Sequence, residues 1–236
     1  MVNGIEQTPE YYDKRWLETI ALLPTGGAYR LDLRNRAWKI IADYIGKDKK
    51  IFEFATGVSN LPEYLKDNNC KITGCDFSQV AVDFAKEFGD FKKTDEIYGD
   101  NYDFITACQF IEHIKDPASW IREALNKAPE IVCSIPNNFR QVGDHYLMQW
   151  KNWEEFNRLF EEFEINRLDT PEMYAGNHSA WNHPVFTFKK KGKNKMHVSE
   201  ILKINDKPKE EPKKEVEKPV YLAPKEVKKK KKNSWE

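Results

Sequence analysis

The chain of 236 residues is poor in several features that would assign it to a class at once. It has no apolar run near the roughly 18 residues needed to cross a bilayer, so no membrane span is expected. Its opening residues, MVNGIEQTPEYYDKRW, have neither the basic start nor the apolar middle of a signal peptide. The expected location is therefore the cytoplasm. Cysteine is limited to Cys70, Cys75, Cys108 and Cys133, which lack metal-ligand spacing and fall in or beside predicted strands. They read as reduced, small apolar side chains, and no metal site is expected. Net charge is absent too, at 38 basic and 38 acidic residues, but the balance is uneven. From Lys203 to Glu236 there are twelve lysines against seven acids, a net of +5, which leaves about −5 for the preceding 202 residues. A folded part of that sign does not suggest nucleic-acid binding.

The chain is organised around Ile51 to Asp76, IFEFATGVSNLPEYLKDNNCKITGCD. An apolar strand, Ile51 to Phe54, ends at the small-residue turn Ala55, Thr56, Gly57, Val58, Ser59. The turn runs into a helix with Leu61, Tyr64 and Leu65 on one side. A second strand, Lys71 to Cys75, stops at Asp76, the end of a parallel strand at which ligands bind. A close-approach turn, the start of a helix and a carboxylate some twenty residues on suit a nucleoside-containing ligand. A plain β–α connection is the competing reading of the spacing alone.

Around that stretch the pattern alternates. Arg30 to Ile45 carries Leu33, Ala37, Ile40, Ile41 and Tyr44 at helical spacing. Ser78 is placed to cap a helix, Val80 to Phe88, with Val80, Ala81, Phe84, Ala85 and Phe88 as one buried stripe. Strands are expected at Phe91 to Thr94, at Tyr102 to Phe110, whose near-continuous apolar character suits a strand covered on both faces, and from Glu130. Asp116 and Pro117 precede a helix, Ala118 to Lys127. Asn152 is placed to cap another, Trp153 to Phe163, before two closing strands, Glu164 to Leu168 and Val185 to Lys189. Two polar loops, Asn138 to Trp150 and the one with His178, Trp181 and His183, are the expected substrate walls. The amino-terminal rings of Tyr11, Tyr12 and Trp16, with Arg15 among them, are expected to pack rather than stay free. From about Gly192 the composition turns to Lys, Glu and Pro and cannot support a core. Its lysine run, Lys228 to Lys232, reads as a solvated tail or as a contact for a polyanion or acidic partner.

Glu53-Phe-Ala-Thr-Gly-Val-Ser-Asn60 resembles the first motif of class I S-adenosylmethionine-dependent methyltransferases. Ala55 and Ser59 stand where that motif usually has glycine, while Gly57 keeps it. YDFITACQFIEHIKDP, residues 102 to 117, resembles the fourth-strand signature of the ubiquinone-biosynthesis-like group, and Ser134-Ile-Pro-Asn137 resembles its fifth-strand ending. The resemblance covers roughly residues 30 to 190. It implies a Rossmann-like, doubly wound, seven-stranded and mostly parallel α/β sheet with the last strand antiparallel, over residues 30–191. Residues 1–29 become a lid segment, or a segment packed on the outer helices, and residues 192–236 a disordered tail.

The implied cofactor is S-adenosylmethionine. Glu53 is implied near its methionine end, with Ala55 and Gly57 in the turn, Asp76 on the ribose, Phe77 and Asp95 around the adenine, and Gln109 beside the cofactor at the end of the fourth strand. Asp100 rivals Asp95, and Arg34 or Arg36 is implied at the cofactor carboxylate. His113 and His145 are candidate bases by residue type. Gln109, where some relatives carry an acid, lowers the expectation of a metal held by Glu112 and His113. The pattern of nucleobase N-methylating enzymes is absent after Gln109, so DNA bases are not the expected acceptor. An O or N of a small molecule, sugar or glycan is. The competing class is a binding module that has lost catalysis through Ala55 and Ser59 and acts through its basic tail. A Rossmann oxidoreductase leaves the Glu112-His113 motif unexplained.

Overall fold

The structure is a computed structural model that describes residues 8–22, 29–136, 152–169 and 183–192, the side chains of 22 and 29–35 excepted. Among the described residues fourteen elements follow one another as α1 (Pro9–Leu22), α2 (Tyr29–Ile45), β1 (Lys50–Phe54), α3 (Leu61–Asp67), β2 (Lys71–Asp76), α4 (Gln79–Ala85), β3 (Asp90–Lys93), β4 (Phe104–Cys108), a 3-10 turn (Ile111–His113), α5 (Pro117–Ala124), β5 (Glu130–Ser134), α6 (Trp153–Leu159), β6 (Phe163–Arg167) and β7 (Val185–Lys190). The strands form one sheet in the order β3-β2-β1-β4-β5-β7-β6. Only β7 runs antiparallel, to β5 on one side and β6 on the other. Among the described residues no helix is long and apolar enough to cross a membrane.

The strand sequences explain this arrangement. Successive side chains of a strand point to opposite faces, and both faces of this sheet are covered by helices. Phe52 and Phe54 therefore join one apolar layer with Ile105, Phe156, Phe186 and Phe188. Ile51 joins the other, with Ile41, Leu61, Leu65, Ile72 and Val185. The helices start where their caps dictate. Ser78 Oγ accepts from the Ala81 N–H, the Asp116 carboxylate from Ser119 N–H, and Asn152 Oδ1 from Glu155 N–H.

Boundaries differ from the sequence pattern in ways that burial explains. The fourth strand is trimmed to Phe104–Cys108, because Gln109 takes a positive φ of 55° and turns the chain away from the sheet. The helix after Ser78 ends at Ala85, and Val82 rather than Phe84 is fully buried in it. The aromatic amino-terminal stretch is itself a helix, α1. Strand order reverses between β1 and β4, whose C-terminal ends diverge to connections on opposite faces. A crevice opens there.

Candidate functional site

The crevice holds a cavity of about 440 Å³. Its floor is the turn after β1, Phe54 to Ser59, together with Cys75, Asp76 and Phe77 at the end of β2. Residues after β4, among them Gln109, Phe110, Glu112 and His113, close one side, and Tyr12, Arg15 and Trp16 of α1 lie over it. Phe54, Phe110 and Trp120 pack into an aromatic wall with ring centroids 4.7 to 5.1 Å apart.

The turn keeps its shape although two of the usual glycines are missing, because each replacement suits its place. Ala55 itself adopts the left-handed conformation, φ 53°, next to Gly57 at φ 54°. A single alanine can do so at a modest cost in strain. Ser59 has no positive φ to satisfy, and its hydroxyl instead donates to Glu53 Oε1 at 3.4 Å, alongside Thr56 Oγ1 at 3.2 Å. Glu53 thus sits behind the turn and ties it together rather than lining the cavity. Burial pushes its carboxyl up to about 8, and its Oε2 has no hydrogen-bond partner among the described residues.

Asp76 is the acid at the centre of the floor. Its Oδ2 accepts from the Gly57 N–H at 2.9 Å and its Oδ1 from the Ser78 N–H at 2.8 Å. Each carboxylate oxygen retains a further lone pair for a ligand hydroxyl. Burial raises its pKa to about 6 in spite of the backbone donors. Phe77, beside it, meets the Tyr12 ring at 5.0 Å between centroids.

Residues 27–169, more than half of the chain, match the methyltransferase domain family. The chain belongs to that family. No curated protein matches the methyltransferase significantly. Its fold is similar to that of a TehB-like SAM-dependent methyltransferase from Corynebacterium glutamicum, with 18% identity, 78% of this chain and 98% of the other covered, and a TM-score of 0.52. It is also similar to the plantazolicin methyltransferase BpumL in complex with SAH, at 13% identity, 78% and 95% coverage and a TM-score of 0.51. Magnesium protoporphyrin IX methyltransferase from Synechocystis, with bound SAH, follows at 12% identity, 70% and 84% coverage and a TM-score of 0.50. At such identities the likeness establishes the fold.

Within the methyltransferase cavity the structure brings together Ala55, Gly57, Asp76, Phe77, Asp95, Gln109 and His113. Asp95 lines it and Asp100 does not. His113 Nε2 lies 3.8 Å from Glu112 Oε1, an ion-pair distance rather than a hydrogen bond. Arg36 is exposed and outside the lining. Arg34 sits on α2 but its side chain, like all of His145 and the tail beyond 192, lies outside the described residues. Among the described residues no group of three or more His, Cys, Asp and Glu is placed to hold a metal ion.

Several residues of the site had no forecast. Trp38 on α2 and Trp120 on α5 line the cavity, as does Thr94 after β3. Asp13 does not line it but holds α1 down, since its Oδ1 accepts from Ser78 Oγ at 2.5 Å and from the Val80 N–H at 3.3 Å. The i, i+3, i+4 spacing of Tyr12, Arg15 and Trp16 was the available signal for one inward face of a helix. Nothing local marked Asp13.

Proposed function

We propose that the methyltransferase binds S-adenosylmethionine in this cavity and transfers its methyl group to an O or N of a small molecule, sugar or glycan. The observation that carries the reading is Asp76, a buried carboxylate at the cavity floor that fastens the turn through Gly57 and keeps lone pairs for ribose hydroxyls. The residues fit the group in other respects. The turn backbone at Gly57 is bare of side chain, Phe77 offers a ring beside Asp76, and Asp95 stands at the edge for an adenine amino group. The cofactor supplies a methyl already activated on a sulfonium. The chain's own part is to position the acceptor in line and exclude water, which is worth on the order of 7 to 11 kcal/mol at best.

His113 lines the cavity with Glu112 beside it and is the residue to receive a proton from the acceptor. His145, which follows β5 in the sequence, is the second candidate. The Glu112-His113 and Asp116-Pro117 pairs support placement in the ubiquinone-biosynthesis-like group, acting in the cytoplasm. The alternative of an inactive binding module rested on Ala55 and Ser59. Ala55 holds the glycine-like conformation and Ser59 braces Glu53, so neither fills the floor.

Calorimetry with S-adenosylmethionine tests the proposal. Micromolar binding to the wild type, weakened at least ten-fold in Asp76→Ala, is the expected result. Well-folded protein without detectable binding overturns it.

A further inference from the structure

Ring contacts and one pair of hydrogen bonds join helix α1 to the cavity floor and the start of α4. Tyr12 meets Phe77 at 5.0 Å between centroids, and Trp16 lies so close over Gly57 that a Cβ there would stand 3.0 Å from the indole. Asp13 supplies the hydrogen bonds. Its Oδ1 accepts from Ser78 Oγ at 2.5 Å and from the Val80 N–H at 3.3 Å. Ser78 is fully buried, caps α4 through the Ala81 N–H, and donates its own N–H to Asp76 Oδ1 at 2.8 Å. The residue that fixes the floor acid is therefore also the one that ties down the helix above it. The Ser78 hydroxyl holds the Asp13 carboxyl below its ordinary 3.8, so the acceptor is ionised at neutral pH. A hydrogen bond to an ionised acceptor is roughly twice as strong as a neutral one.

We infer that the Asp13–Ser78 bond is a latch on α1 that sets how fast a nucleoside ligand enters and leaves the cavity, and not how tightly it is held. The inference deepens the S-adenosylmethionine reading and rests on it. Tyr12 and Trp16 stand in front of Phe77 and Gly57, so a ligand bound for Asp76 passes the helix on its way in and again on its way out. Each passage breaks the latch. The bond uses only the chain's own atoms, and the Ser78 N–H that holds Asp76 takes no part in it. It therefore stabilises the closed helix alike with and without a ligand, and a contribution common to both states cancels from the affinity. What remains is a barrier to exchange. Departure of S-adenosylhomocysteine after transfer is among the steps that it slows.

Surface plasmon resonance on the full chain with S-adenosylhomocysteine separates the two rates. Asp13→Ala should raise association and dissociation together, each roughly ten-fold for loss of a hydrogen bond to a charged group, while Kd stays within about three-fold. The retained affinity also reports that the variant is folded. Asp13→Asn keeps an acceptor oxygen for Ser78 and should exchange nearly as slowly as the wild type. Asp13→Ala combined with Ser78→Ala should be no faster than Asp13→Ala alone, because both substitutions remove the same bond. A change in one rate only, or in neither, overturns the inference and leaves the cofactor reading in place, since the ligand still binds. A wild type that binds no S-adenosylhomocysteine overturns the cofactor reading and this inference with it.

Discussion

At Glu53 the chain keeps a carboxyl with little access to water behind a functional turn, and pH should expose the cost. Its pKa is raised from the ordinary 4.5 to about 8, chiefly by burial. The sign follows from linkage. A folded-state pKa above the unfolded one means that the stability contributed by the neutral form is fully present below about pH 4.5 and is lost as pH rises through about 8. Glu53→Gln removes the titration, so the melting temperature of the variant minus that of the wild type should climb between pH 5 and pH 8.5, by the equivalent of a few kcal/mol. A flat difference over that range would refute the assignment. Asp76, raised to about 6 for the same reason, acts in the same direction over a narrower window. Ala55 yields a second expectation. Glycine normally destabilises relative to alanine, but at φ 53° it relieves strain. Ala55→Gly should therefore leave stability unchanged or raise it by up to about 1 kcal/mol in urea unfolding.

Among the elements, α1 depends on contacts that its own sequence only half announces. Asp13 joins it to the start of α4 through Ser78 and Val80. Asp13→Ala should speed amide hydrogen exchange across residues 9–22 while exchange in the sheet strands stays as in the wild type. Equal protection in the two proteins would mean that the rings of Tyr12 and Trp16 hold the helix without it. The other helices were more legible, because a cap is a local rule. Ser78, Asp116 with Pro117, and Asn152 are each visible as residue types in place, and each caps as expected. Helix ends were less so. α4 stops at Ala85 and α6 at Leu159, several residues before their apolar patterns run out, since Phe88 and Phe163 pack from turn and strand positions instead. Asp13, Trp38 and Trp120 illustrate the limit for the site. Their roles depend on which elements the fold brings together, whereas Gly57 and Asp76 lie within one β–α–β unit and were readable from spacing.

Over the whole molecule, the sheet's alternation of faces made strand identity and the single antiparallel strand readable from sequence pattern and resemblance together. The packing that holds the far half of the sheet is concentrated in phenylalanine. Phe156 is fully buried among Phe160, Phe186 and Phe188. Phe156→Ala should cost about 3–5 kcal/mol in chemical denaturation. The same variant, kept below its melting point, should bind S-adenosylhomocysteine with little change, because α6 makes no part of the cavity lining. A large loss of affinity would show that the two halves of the sheet are coupled. Three of the seven tryptophans, Trp16, Trp38 and Trp120, stand around the cavity. Indole emission responds to the polarity and contacts of its surroundings, so the protein carries a dye at its own entrance, and a ligand settling against those rings announces itself as a change of light without any label attached.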